Sequence, residues 1–174
     1  MNTTKLDELM VYLCTRCASE KSWGRTKLAK LLYFCDFEMY RHHGQSITGI
    51  DYIRLDLGPV PVDFQNHLAR WKDMGIMAEA REQIIDHTEI RPVALRESDV
   101  SVFSGPEVKV IEQVIRKYGH LTAKKLSEIS HQDPGWRLAK PLEKIPYDSV
   151  FSNWESVTPE EYGLHVAIRD RNAS

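Results

Sequence analysis

Cys14 and Cys17 have the C-x-x-C spacing that serves zinc sites and redox dithiols. A structural zinc ion takes four ligands, and neither a second C-x-x-C nor a matching histidine pair follows. Both cysteines fall in helical phase with Leu6, Leu9, Met10 and Leu13, so they read as small packing groups, as does Cys35 in its own apolar run. Among the seven histidines, His131 with Asp133 is the most suggestive acid–base pair. It lacks a nucleophile at a recognisable elbow, and the sequence has no G-x-S-x-G, H-E-x-x-H, G-x-G-x-x-G or phosphate loop ending in G-K-[ST]. These absences argue against an enzyme, and no metal or cofactor is expected.

Charge placement gives three further candidates. Asp36 interrupts an apolar run, and a buried carboxylate needs a partner. Lys27, Lys30 and Arg54 are the candidates for it, with a structural ion pair as the plainer role and a functional surface carboxylate as the other. Lys21, Arg25, Lys27 and Lys30 form one basic cluster, and Arg116, Lys117, Lys124 and Lys125 another. Solvated helix faces are the commoner meaning of such clusters. The second lies on a helix pair with helix-turn-helix proportions, but Pro134 and Gly135 interrupt any long reading helix after it. In the run GPVP at 58–61, proline fixes φ and Gly58 admits values closed to other residues. That bend aims whatever follows and can present Val60 to a partner at little entropic cost.

The elements that position these residues follow from periodicity. Leu6 through Cys17 predict an amphipathic helix with Lys5, Asp7, Glu8 and Arg16 on the solvent side. A second helix, capped by Thr26, is apolar on more than one face from Leu28 to Phe37 and ends at Gly44, with Arg41, His42 and His43 complementing its dipole. Residues 50–57 alternate as a strand with Ile53, Leu55 and Leu57 inward, broken by Gly58, Pro59 and Pro61. Phe64, His67, Leu68, Trp71 and Met74 resume helical spacing up to Gly75. Extended stretches at about 77–85 and 88–95 are separated by Asp86 and His87, and Pro92 confines the second to a sheet margin. Ser104 with Glu107 forms a capping box for a helix ending at Gly119. Thr122 caps the next, with Leu121 and Leu126 as a hydrophobic staple, and Asp133 with Pro134 starts a short further turn. Residues 141–159 read as irregular, anchored by Phe151 and Trp154. Thr158 and Glu161 cap a terminal helix over 159–169.

The fold class is therefore α+β, a mainly helical single domain over 1–174 with a small antiparallel β-sheet. With 174 residues, 42% hydrophobic and 28% charged, the chain can bury a core without disulfides or metal. Its formal net charge of −2 argues against a whole-surface nucleic-acid binder. Charges at Lys5, Asp7 and Glu8 preclude a signal peptide. No apolar run approaches the ~20 residues of a membrane helix, and the odd cysteine count suits a reducing compartment, so a cytoplasmic location is expected.

The run KLAKLLYFCDFEMYRHHGQSITGIDYIRLDLGPVP, followed by HQDPGW after a short helix, resembles the Panacea antitoxin domain, also called SocA-like or GepA-like. The resemblance covers about residues 5–140. It is best over Lys27 to Phe37, Gly44 to Gly49, Tyr52, Gly58 to Val60, and His131 with Trp136. Ser130 stands where the family pattern has threonine. The resemblance implies a non-enzymatic antitoxin of bacterial or phage origin. Its partner would be a cognate protein toxin, encoded by the adjacent gene and held by direct binding. An adaptor role that delivers the toxin to an AAA+ protease is the alternative, and a DNA-binding regulator is a third reading. The expected partner-binding surface lies near the GPVP turn, the exposed side of the second helix and the HQDPGW turn, with Tyr33, Asp36, Tyr52, Pro59, Val60, His131 and Trp136 as its candidates. Replacing Asp36 or His131 by alanine is expected to impair neutralisation more than folding.

Overall fold

Asn2 starts the first helix, α1 (Thr3–Arg16), by accepting a hydrogen bond from the Lys5 amide at 3.1 Å. The computed structural model of the chain describes residues 1–84 and 87–152. Leu6, Leu9, Met10, Leu13 and Cys14 are buried, as their spacing predicts, but so are Val11, Asp7 and Glu8. The two carboxylates are drawn inward by later segments. Asp7 pairs with Arg70 and accepts from the Trp71 indole at 2.7 Å, while Glu8 pairs with Arg96 at 2.5 Å and accepts from the Asp99 amide at 2.8 Å.

The second helix, α2 (Arg25–His43), starts at Gly24 rather than at Thr26, which lies inside the first turn. It ends as predicted: Gly44 takes φ +71° and its amide donates to the Tyr40 carbonyl at 2.8 Å. The first helix, later helices and strands of both hairpins pack around it, so its interior charges as well as its apolar residues are covered. Lys27 and Lys30 are thus core residues, not members of a solvated basic face.

The proline-rich run is a strand, not a break. β1 (Tyr52–Leu55) and β2 (Gly58–Pro61) form an antiparallel hairpin turning at Asp56 and Leu57, with Arg54 opposite Pro59 and Tyr52 opposite Pro61. The Arg54 amide and carbonyl and the Tyr52 carbonyl point away from β2, to Glu143, Leu142 and Ile145. Both prolines therefore face positions where the ladder asks for no amide. The strand does not bury the face its alternation predicts, for Ile53 and Leu55 are half-buried, as Arg54 is. Tyr52 is buried because its hydroxyl has a buried acceptor, and Leu57 is 67% exposed because it lies in the hairpin turn.

α3 (Phe64–Asp73) buries Phe64, Leu68 and Trp71. β3 (Met77–Ile84) and β4 (His87–Ala94) make a second two-stranded antiparallel sheet, so the fold carries two small sheets where one was expected. Pro92 lies in its β4 margin, and its carbonyl accepts from the buried Trp23 indole at 2.7 Å. α4 (Gly105–Tyr118) has the predicted Ser104–Glu107 capping box, and α5 (Ala123–Ser130) is capped by Thr122. α6 (Pro134–Leu138) starts at Asp133 with proline in its first turn. A 3-10 turn over Tyr147–Phe151 follows. Val150 is buried there while Phe151 is 62% exposed, so Tyr147 and Val150 are the anchors and Phe151 is not. Asp86, Trp154, the Thr158–Glu161 capping box and the 159–169 helix lie outside the described residues. The described residues thus form a mainly helical α+β domain around one apolar core.

Candidate functional site

The β1–β2 hairpin and the end of α5 pack on α2, and α6 closes the corner against the hairpin. Lys30 of α2 donates to the Pro59 carbonyl at 2.8 Å, which ties the return strand to the helix. Gly58 has φ +102°, and a Cβ there would strike Ser130 Oγ and Lys30 Nζ, so the backbone approaches as closely as only glycine permits. On the outer side, the Trp136 indole donates to the Leu55 carbonyl at 3.0 Å. His131 stacks on the Trp136 ring at 4.0 Å, and the Arg54 guanidinium lies over the same ring at 4.3 Å. Arg54 also donates to the Ala139 carbonyl at 2.6 Å, pinning the exit of α6.

Burial sets the electrostatics of this corner. It pulls the Lys30 amine down to about 7. His131 is lowered by burial first and then by the nearby Lys30 charge, and its Nε2 has no hydrogen-bond partner among the described residues. Lys27 is lowered for the same leading reason, and its Nζ is likewise unpartnered among them.

Asp36 is fully buried and pairs with none of Lys27, Lys30 and Arg54. Its carboxylate accepts from the Thr48 amide at 2.8 Å, the Thr48 hydroxyl at 2.5 Å and the Tyr52 hydroxyl at 2.8 Å. Burial pushes its pKa up against the pull of those donors. Asp36 therefore fastens the loop after α2, and through Tyr52 it fastens β1 as well. It is neither half of an ion pair nor a surface group. The Tyr52 ring meets Tyr33 edge-on at 5.4 Å, and Tyr33 stacks on Phe37 at 4.1 Å. Burial, with the neighbouring Asp133 charge, raises the Tyr33 hydroxyl well above its ordinary value.

The structure places the seven sequence candidates in one neighbourhood at two depths. Tyr33, Asp36, Tyr52 and Pro59 are buried, whereas Val60, His131 and Trp136 are half-exposed. Sequence reasoning missed Lys30, Thr48 and Ser130 as members of the corner. The signal for Lys30 was a charge inside the apolar run LAKLL, in the same kind of position as Asp36. The cysteines pack as their phase predicts. Burial raises the thiols of Cys14 and Cys35, and Cys17 to about 11, which keeps all three in the inert thiol form. Among the described residues no group of three or more His, Cys, Asp or Glu side chains is placed to hold a metal ion. No helix among them is long and apolar enough to cross a membrane.

This geometry defines a helical α+β domain whose buried polar groups fix the loops around a central helix. The family described as antitoxin SocA-like, Panacea domain, matches residues 28–137, well over half of the chain, and the protein belongs to that family. All seven candidate residues fall inside the matched span, as do Lys30, Thr48 and Ser130. No curated protein and no solved structure matches the chain.

Proposed function

We propose that this protein is the antitoxin of a bacterial or phage toxin–antitoxin pair, and that it silences a toxin encoded by the adjacent gene through direct protein–protein contact, without catalysis. The family assignment supplies the antitoxin class. The observation that carries direct binding is the half-exposed Trp136, held from several sides by the Leu55 carbonyl, His131 and Arg54 beside the pinned β1–β2 hairpin. A pre-organised aromatic and arginine cluster loses little freedom on association and is the kind of anchor that dominates interfaces. In this reading Val60, His131 and Trp136 meet the toxin, and Tyr33, Asp36, Tyr52 and Pro59 hold that surface in shape from within.

The test is growth of cells in which the adjacent open reading frame is induced alone or together with this chain, with toxin quantity followed by immunoblot. The reading predicts arrest by the neighbour alone, restored growth on co-expression, and unchanged toxin quantity. Restored growth with a falling toxin level would replace direct neutralisation by delivery to a protease. A harmless neighbour, or arrest that persists beside folded protein, would end the antitoxin reading.

A further inference from the structure

The outer side of α2 and the adjoining face of α4 enclose a groove that takes no part in the corner described above. Two hollows of about 420 and 550 Å³ merge there, sharing His42, Val110 and Gln113. A third, of about 180 Å³, shares Glu38 and Tyr118 with the first and runs on to Asp133 and Pro134 at the start of α6. The groove thus reaches towards the His131–Trp136 cluster. Its floor is apolar and already packed: Phe34 and Tyr118 stack at 4.4 Å, and Val110 and Val114 lie beside them.

The rim has a marked sign. His42, His43, Lys109, Arg116 and Lys117 are exposed along the first two hollows, whose acidic member is Glu38. Glu38 is already engaged by Arg41 at 3.5 Å and faces His42 at 3.7 Å. Elsewhere cations meet carboxylates: Lys5 with Glu107, Arg25 with Glu79, Arg96 with Glu8, Lys144 with Asp51. Lys109 and Arg116 meet no carboxylate among the described residues, although acidic residues outnumber basic ones in the chain by 25 to 23. Lys117 lies over the Tyr118 ring at 4.8 Å and feels the Glu38 charge, so Lys109 and Arg116 are the rim cations without a carboxylate partner among the described residues.

We infer that the groove between α2 and α4 seats an acidic segment of the partner protein, its carboxylates on the Lys109–Arg116–Lys117 rim. This rests on the antitoxin reading for its claim that the partner is the toxin. Charge complementarity selects the occupant. A nucleic-acid strand fits less well, because the chain's formal net charge is −2 and the buried Phe34–Tyr118 pair offers no ring face for bases to stack upon.

The experiment uses the full chain and the full-length product of the adjacent frame. A benzophenone amino acid replaces Gln113, and a second variant carries Lys109→Glu, Arg116→Glu and Lys117→Glu. The inference predicts a cross-link from position 113 to an Asp/Glu-rich stretch of the toxin, and a loss of affinity of ~100-fold in the triple variant, which stays folded by circular dichroism with a melting temperature lowered only by the reversed helix-end charges at 116 and 117. If the wild-type chain neutralises and binds the toxin while the triple variant binds equally well and position 113 yields no cross-link, the groove assignment falls and the antitoxin reading stands. A cross-link to nucleic acid or to a second copy of this chain overturns the assignment too. Failure of the wild-type chain to bind or neutralise the adjacent product overturns both.

Discussion

Helix α2 uses charge in opposite ways on its two sides. Facing inward, Lys30 and Asp36 are buried and hold backbone: one ties the Pro59 carbonyl, the other the Thr48 amide and hydroxyl and the Tyr52 hydroxyl. Facing outward, His42 and His43 join Lys109, Arg116 and Lys117 of α4 around a groove with little acidic compensation. Inside the protein, charge is costly and persists where hydrogen bonds fix a shape. At the rim it is cheap to keep solvated and free to meet a partner. Stability and recognition are therefore separable along a single helix, and substitutions on the two sides should differ in what they damage.

The largest expected effect is on the inner side. Asp36→Ala leaves three buried donors unsatisfied at once, a loss of ~3–4 kcal/mol that lowers the melting temperature by roughly 10 °C in a chain of this size. Asp36→Asn keeps an acceptor and should fall between alanine and wild type. This reverses the sequence-based expectation for Asp36, which placed binding ahead of folding. A wild-type melting temperature for Asp36→Ala, measured by calorimetry, would break the distinction between the two faces.

Gly58→Ala comes next. The φ of +102° is strained for any L side chain, and the added methyl meets Ser130 Oγ and Lys30 Nζ. A loss of ~2–3 kcal/mol in urea denaturation is expected from strain and crowding together. A neutral effect would mean that the hairpin does not press on α2 and α5 as described.

A smaller effect sharpens the role of Lys30. Its folded value of about 7 lies below the ordinary lysine value of about 10.4 that it regains on unfolding. The buried amine therefore opposes folding in full below pH ~7, and stability rises as pH climbs from there towards ~10, at up to ~1.4 kcal/mol per pH unit. Cys17, raised by burial, pulls the other way once pH passes the ordinary thiol value of ~8.5, so pH ~7 to 8.5 is the clean window. Urea midpoints across that window should rise for wild type and rise less steeply for Lys30→Met, in which the lowered Lys27 remains. Equal slopes would place Lys30 in water.

What was legible in the sequence was local. The Ser104–Glu107 capping box, the Gly44 stop and the Asp133–Pro134 helix start each depend on a few adjacent residues, and each is where its chemistry puts it. The errors came from distant partners. Alternation alone turned Ile53, Leu55 and Leu57 inward, yet Ile53 and Leu55 are half-buried, Leu57 is in the turn, and a carboxylate sixteen residues upstream holds Tyr52 inside. Prolines at 59 and 61 suggested a break, yet the 142–145 segment and Lys30 satisfy the hairpin edges that the prolines leave free of amide demand. Asp7 and Glu8 looked like solvent residues until Arg70, Trp71 and Arg96 arrived from later elements. Of the site, the sequence resemblance found the neighbourhood around His131 and Trp136. It could not sort that neighbourhood by depth, because burial is decided by what packs on α2 from elsewhere.

The most direct test of direct neutralisation is isothermal titration of the purified full chain with the purified product of the adjacent frame, at low and at high salt. The account predicts a stable complex whose affinity falls as salt rises. No heat and no complex at either salt, from a pair that nevertheless shows growth rescue in cells, would contradict it.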